Sequence, residues 1–168
     1  MRRLIASLTA ATLLAAPVTA QELPSTPPPI PAPKAFQVPA SETYTLANGM
    51  KLTLVPYGVA PKVVVSLQTY AGSVNEGDNT WLALLAVDMM KEGAAGMTGA
   101  QIAQKAADMG GGLGTNASLE SSSVSLNVLS ERAADAIALV ADVAQRPAYP
   151  DSELARVKAN WNRRLAVA

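Results

Sequence analysis

An α+β domain, with a mostly antiparallel sheet and helices packed on one of its faces, is what this sequence predicts. Three features predict it. Asn48-Gly49 sits between two short alternating segments, the signature of a tight hairpin. Val124, Leu126 and Val128 recur at period two, with Ser123, Ser125 and Asn127 between them, as in a strand with one covered face. The apolar stretches at 79–92 and 130–146 are too long for ordinary strands and carry helical spacing.

The elements follow in order. Thr43, Thr45, Leu52 and Leu54 suit the two strands of the hairpin, and the domain begins near Ser41. Residues 63–72, VVVSLQTYAG, give a third strand; its nearly continuous apolar front places it inside a sheet. The first helix spans 79–92, with Asn79 or Thr80 as its cap, Gly93 as its end and apolar residues on nearly every side, as in a helix buried on more than one face. Thr98 and Gln101 have capping-box spacing and open a second helix whose stripe is Ile102, Ala103, Ala106 and Met109. It stops at Gly110-Gly111-Gly112, and 113–129 reads as two strands. Ser130 caps a third helix, with Ala134, Ile137, Ala138, Ala141 and Val143 toward the sheet, and Pro147 and Pro150 break it. A last helix starts at Asp151 or Ser152. The chain stops in or just after it, with no closing strand in view, as expected of a fragment of a longer protein.

The first forty residues read differently. Residues 1–20 have a basic start at Arg2 and Arg3, a short apolar run and a small-residue cleavage pattern at Val18-Thr19-Ala20. That is a secretory signal, too short for a membrane span, and it places the chain in the periplasm or outside the cell. Residues 21–40 are a proline-rich linker, extended because proline fixes φ and removes donors. Residues 41–168 remain as the domain. Loss of Arg2 and Arg3 leaves eleven basic against thirteen acidic side chains, a net charge of about −2 and no electrostatic case for nucleic acid.

The sequence contains no histidine and no cysteine. Within this chain that excludes a Ser-His-Asp triad, histidine-ligated zinc and thiol chemistry.

The pieces TLANGMKLTLVPYG, VVVSLQTYAGSVNEGDNT, LALLAVDMMKEG, DMGGGLGTNASLESSSVSLNVL and ALVADVAQRPAYPDSELARVK, in this order, resemble the N-terminal domain of the insulinase/pitrilysin-type (inverzincin) zinc peptidases. The resemblance runs from about Glu42 to the end. Active members carry H-x-x-E-H on the first helix, where two histidines one turn apart hold zinc and the glutamate polarises water. The matching window here is Leu84 to Asp88. Leu84 stands at the first histidine position, Val87 at the glutamate and Asp88 at the second histidine. The family's later glutamate ligand falls near Asn162 to Arg164, where there is no carboxylate. No catalytic, cofactor-binding or metal-ligating residue carries over, and no cofactor is implied.

Other residues have plainer roles open to them. Asp88 and Glu92, one turn apart, could hold a weak cation, but an acid paired at a helix end, with a solvated Glu92, explains both. The triple glycine lacks the lysine and spacing of a phosphate loop and reads as a bend. Asn116 to Ser123 matches in place the edge strand by which active relatives take up peptide, and backbone pairing needs little side-chain identity. Trp161 with Arg156, Lys158, Arg163 and Arg164 is a weak nucleic-acid set; Trp161 packing against the domain or a following part of the protein, with the bases as its wet side, is simpler. Met89, Met90 and Met109 read as core fillers.

The resemblance therefore implies a catalytically silent subunit that binds or scaffolds peptide and pairs with a homologous zinc-bearing peptidase. Two alternatives stand beside it: metallopeptidase activity exercised only as part of a complex, and a stand-alone peptide-binding or structural module. No nucleic acid, and no membrane span after signal cleavage, is expected.

Overall fold

The computed structural model describes residues 32, 33, 35 and 37–167. The signal at 1–20 and most of the proline-rich linker lie outside the described residues. The contacts divide the chain into two units, Met1–Pro56 and Tyr57–Ala168.

In the first unit, β1 (Glu42–Thr45) pairs antiparallel with β2 (Lys51–Leu54), with Tyr44 opposite Leu52. The Asn48-Gly49 signal is borne out. Gly49 takes φ +82°, a conformation glycine adopts freely. The Asn48 side chain accepts the Met50 N–H at 3.1 Å, and Leu46 N–H donates to the Met50 carbonyl at 2.8 Å.

The second unit is built on a three-stranded antiparallel sheet in the order β3 (Lys62–Thr69), β7 (Ser122–Leu129), β6 (Leu113–Ala117). β7 is therefore the inner strand, and the expectation that β3 lies inside is corrected. Val63, Val65 and Leu67 turn toward the core while Val64, 64% exposed, faces the other way. The apolar run of β3 thus does not reflect burial on two faces.

Helices cover one face of this sheet. α1 (Leu82–Met90) packs against β6 and β7, and α3 (Ala133–Gln145) against β7 and β3. Between α1 and α2 (Gly99–Asp108) runs a small pair, β4 (Gly93–Ala94) with β5 (Met97–Thr98), which the sequence had not announced. Thr98 caps α2 as its spacing predicted: its hydroxyl accepts the Gln101 N–H at 3.3 Å, and the Gln101 side chain accepts the Thr98 N–H at 2.8 Å. Ile102, Ala106 and Met109 are buried, whereas Ala103 is exposed.

The core joins Val124, Leu126 and Val128 of β7 to Ile102 and Ala106 of α2 and to α3. The buried stripe of α3 is Ala136, Leu139, Val140 and Val143, not the predicted one; of the predicted residues only Val143 is buried, and Ile137 is 56% exposed. Both stripes have helical spacing, but the observed one carries more hydrocarbon volume to the sheet. The helix also starts later than expected, because Ser130–Arg132 form a 3-10 turn and Ser130 makes no side-chain cap.

The triple glycine is a bend. Gly110, at φ +78°, ends α2, and a Cβ on Gly111 would sit 2.0 Å from the Asn127 carbonyl oxygen, so only glycine lets the chain pass there. The stretch Asn116 to Ser123 is not one strand. β6 ends at Ala117, Ser118–Ser121 turn, and Ser122 opens β7. β6 does lie at a sheet edge, paired with β7 alone among the described residues.

The last helix, α4 (Asp151–Leu165), has Asp151 and Glu153 in its first turn and Arg163 and Arg164 in its last, the charge order a helix dipole favours. Val157 anchors it in the interior, and α4 lies against α1.

Candidate functional site

The N-terminal end of α1 is set by a residue the sequence reading missed. Both Glu76 carboxylate oxygens cap it, accepting the Trp81 N–H at 2.7 Å and the Ala83 N–H at 2.8 Å. Each bond satisfies a backbone donor that the first turn leaves unpaired. The predicted caps Asn79 and Thr80 fall outside the helix, which starts at Leu82 and ends at Met90. The delay comes from Trp81, which adopts φ +72°. That left-handed conformation costs a bulky residue about 1–2 kcal/mol. No local spacing marks Glu76 as a cap, since it sits six residues before the helix.

One turn into α1 is the window that matches H-x-x-E-H. Leu84 is 41% exposed and Val87 is buried, and neither offers a donor atom. Asp88 is the one polar member, and its carboxylate is already engaged. Oδ1 accepts the Lys91 ammonium at 2.7 Å, and Oδ2 accepts the Trp161 indole N–H, from α4, at 2.8 Å. Burial on its own would raise the Asp88 pKa. The bonds from Lys91 and Trp161, with the positive charges of Lys91 and Arg164, outweigh it and hold the carboxyl below its usual range.

The second expected acid behaves differently. Glu92 lies beyond the helix end and is not simply solvated: its side chain is 16% exposed and bonds the Arg156 guanidinium, which also donates to Glu153 at 2.6 Å. Asp88 and Glu92 are therefore two separate ties from the α1 region to α4, not one cation site. Arg156, half exposed as the expected wet side requires, also bridges Glu92 and Glu153.

Trp161 packs edge-on against Trp81, with ring centroids 6.2 Å apart at 70°. Of the two packings expected of Trp161, the one against the domain is observed, and its partner is the strained Trp81. The helix is not covered all round: Trp81, Leu82 and Leu84 are 47%, 49% and 41% exposed, while Val87 and Met89 are its buried residues. Met109 is buried as expected of a core filler, and Met90 packs against the core.

The residues present do not fit zinc. A structural or catalytic zinc takes three or four donors from histidine, cysteine or carboxylate. The chain has no histidine or cysteine, and among the described residues no three acidic side chains converge. Asp88 has its oxygens committed to an ammonium and an indole. No step through a metal is derived for this chain.

The comparisons with known proteins agree with this geometry. The family description "Insulinase (Peptidase family M16)" matches residues 54–168, and the chain belongs to that family. A crystal structure of the inactive domain of an M16 peptidase from Pseudomonas fluorescens is similar at 32% identity and TM-score 0.66, over 72% of this chain and 30% of that one. The structure of a protease from Helicobacter pylori shares the fold at 18% identity and TM-score 0.66, over 74% of this chain and 31% of that one. The chain thus spans about a third of the length of these two structures. No curated protein sequence matches it. By fold and by donor set, this is an insulinase-type domain without the family's zinc-binding residues. No helix among the described residues is long and apolar enough to cross a membrane.

Proposed function

We propose that this chain is a silent M16 subunit that scaffolds or binds peptide and associates with a homologue bearing an intact H-x-x-E-H. One observation carries the reading. The family fold is kept, and at Asp88, which the resemblance puts at the second histidine position, the carboxylate accepts bonds from Trp161 and Lys91. The resemblance of the Pseudomonas fluorescens inactive domain supports it, since that protein also combines M16 ancestry with an inactive domain. β6, at the sheet edge among the described residues, supplies backbone groups by which an extended peptide could add as a strand. Residues 1–20 support export to the periplasm or beyond.

Co-expression with an H-x-x-E-H homologue from the same genome tests the pairing. The reading expects a stable complex through gentle affinity and size-exclusion steps, and clean separation of the chains counts against it. N-terminal sequencing of the recovered protein tests export, with a start at Gln21 expected.

A further inference from the structure

We propose that the cavity between Trp81 and Trp161 binds the carboxy-terminal residue of a peptide, seating an apolar side chain against the indoles and the terminal carboxylate on Lys158. That the ligand is a peptide rests on the function proposed above; the chemistry of the cavity stands on its own.

The cavity measures about 360 Å³. Its wall is hydrocarbon: Trp81, Leu82, Leu85 and Trp161. Its rim is Asn79, Thr80, Lys158 and Asn162. Each rim side chain can donate a hydrogen bond, one is a cation and none is an acid. A smaller hollow of about 170 Å³ adjoins the same indole pair and adds Arg164 and Leu84. An apolar wall beside the Lys158 ammonium, with the nearby Glu76 and Asp88 carboxylates already bonded to Trp81 and Trp161, suits a ligand with one apolar group and one negative charge close together. The carboxy-terminal residue of a chain has that form. The volume suits one large side chain with its carboxylate, and a packed helix would need a longer groove.

A second observation points to the same place. Trp81 keeps its left-handed backbone at φ +72°, where glycine would sit without strain. Glu76 holds it there with one of its two capping bonds, and the indole stays 47% exposed against Trp161. Glycine would hold that backbone without strain, so what tryptophan brings there is its ring, packed edge-on against Trp161 and half open to the cavity. Its ring surface at the cavity is what distinguishes it.

The full chain carries two tryptophans, and both line this cavity, so intrinsic emission reads the site directly. The probe is acetyl-Gly-Ala-Ala-Phe with a free carboxylate. Saturable change in emission is expected, with the carboxy-terminal amide and a glycine-ended analogue each weaker by about tenfold or more. Lys158→Met should weaken the acid by a similar factor and leave the amide unchanged. Trp81→Gly should keep the circular dichroism and a cooperative thermal transition, because relief of backbone strain offsets part of the packing lost on Trp161, yet lose binding as read by Trp161. Equal binding of acid and amide, no saturation by about millimolar peptide, or an unaffected Lys158→Met would each overturn the site. Acetyl-phenylalanine binding as tightly as the peptide would assign the cavity to small acids and overturn the peptide ligand. Complex formation with the zinc-bearing homologue is a separate readout. A silent titration beside an intact complex removes this site alone.

Discussion

Asp88 and Trp161, 73 positions apart, meet through a 2.8 Å hydrogen bond that joins α1 to α4. The resemblance puts Asp88 at the second histidine position of the family's H-x-x-E-H, and Trp161 just ahead of the stretch Asn162 to Arg164 where the later glutamate would fall. Here the same two helices are held by an indole donor and a carboxylate. Because the carboxylate is mostly out of solvent, removing either partner leaves a polar group short of a bond.

Asp88→Ala is therefore expected to destabilise the domain by about 1–3 kcal/mol, and Trp161→Phe by about 1 kcal/mol plus its lost packing. The two effects should not add. A double-mutant cycle by urea denaturation should give a coupling energy of about 0.5–3 kcal/mol. Simple additivity would mean that the bond does not form in solution.

Acid should weaken the same tie. Asp88 titrates below its ordinary value of 3.8 in the folded chain. Its contribution is thus present above that value and is lost as pH falls through the lower, folded one. Asp88→Asn keeps an acceptor for Trp161 but has no charge to lose. The stability difference between wild type and this variant should hold steady above about pH 4 and narrow below it. Denaturation midpoints at stepped pH values check this.

Glu76 is predicted to matter through backbone donors. Glu76→Ala removes both caps from the first turn of α1 and should cost about 1–2 kcal/mol, with Glu76→Gln, which keeps one acceptor oxygen, costing less. Amide hydrogen exchange at Trp81 and Ala83 should rise in the alanine variant before global unfolding does.

The core face of α3 is open to a paired test. Leu139→Ala should cost about 2–5 kcal/mol, because Leu139 is fully buried among Val124, Leu126 and Val140. Ile137→Ala, at a 56% exposed position, should change stability by less than about 1 kcal/mol. The opposite ranking would restore the stripe first read from the sequence.

That stripe shows where sequence reading reaches its limit. Local chemistry was legible: Asn48-Gly49 marked its hairpin, Thr98 and Gln101 marked a cap, and the serine-spaced valines and leucine of β7 marked a one-sided strand. In α3, alanine occupies so many positions that two faces have helical spacing, and only the sheet decides between them. β3 looked interior because apolar residues stand on both its faces, although only one is covered. The absence of zinc donors could be read directly from the window Leu84 to Asp88. What replaced them could not, because the Asp88–Trp161 bond depends on the register of two helices distant in sequence. The same holds for Glu92 and Arg156, and for Glu76, which caps across a loop instead of from the cap position.

The central claim is that this domain holds no catalytic zinc, and metal analysis of the purified full chain with a parallel peptidase assay tests it most directly. The account predicts well under about one zinc per chain after dialysis, and cleavage of an unfolded peptide no faster than the buffer control. One tightly held zinc per chain, with hydrolysis that a chelator abolishes and added zinc restores, would contradict it.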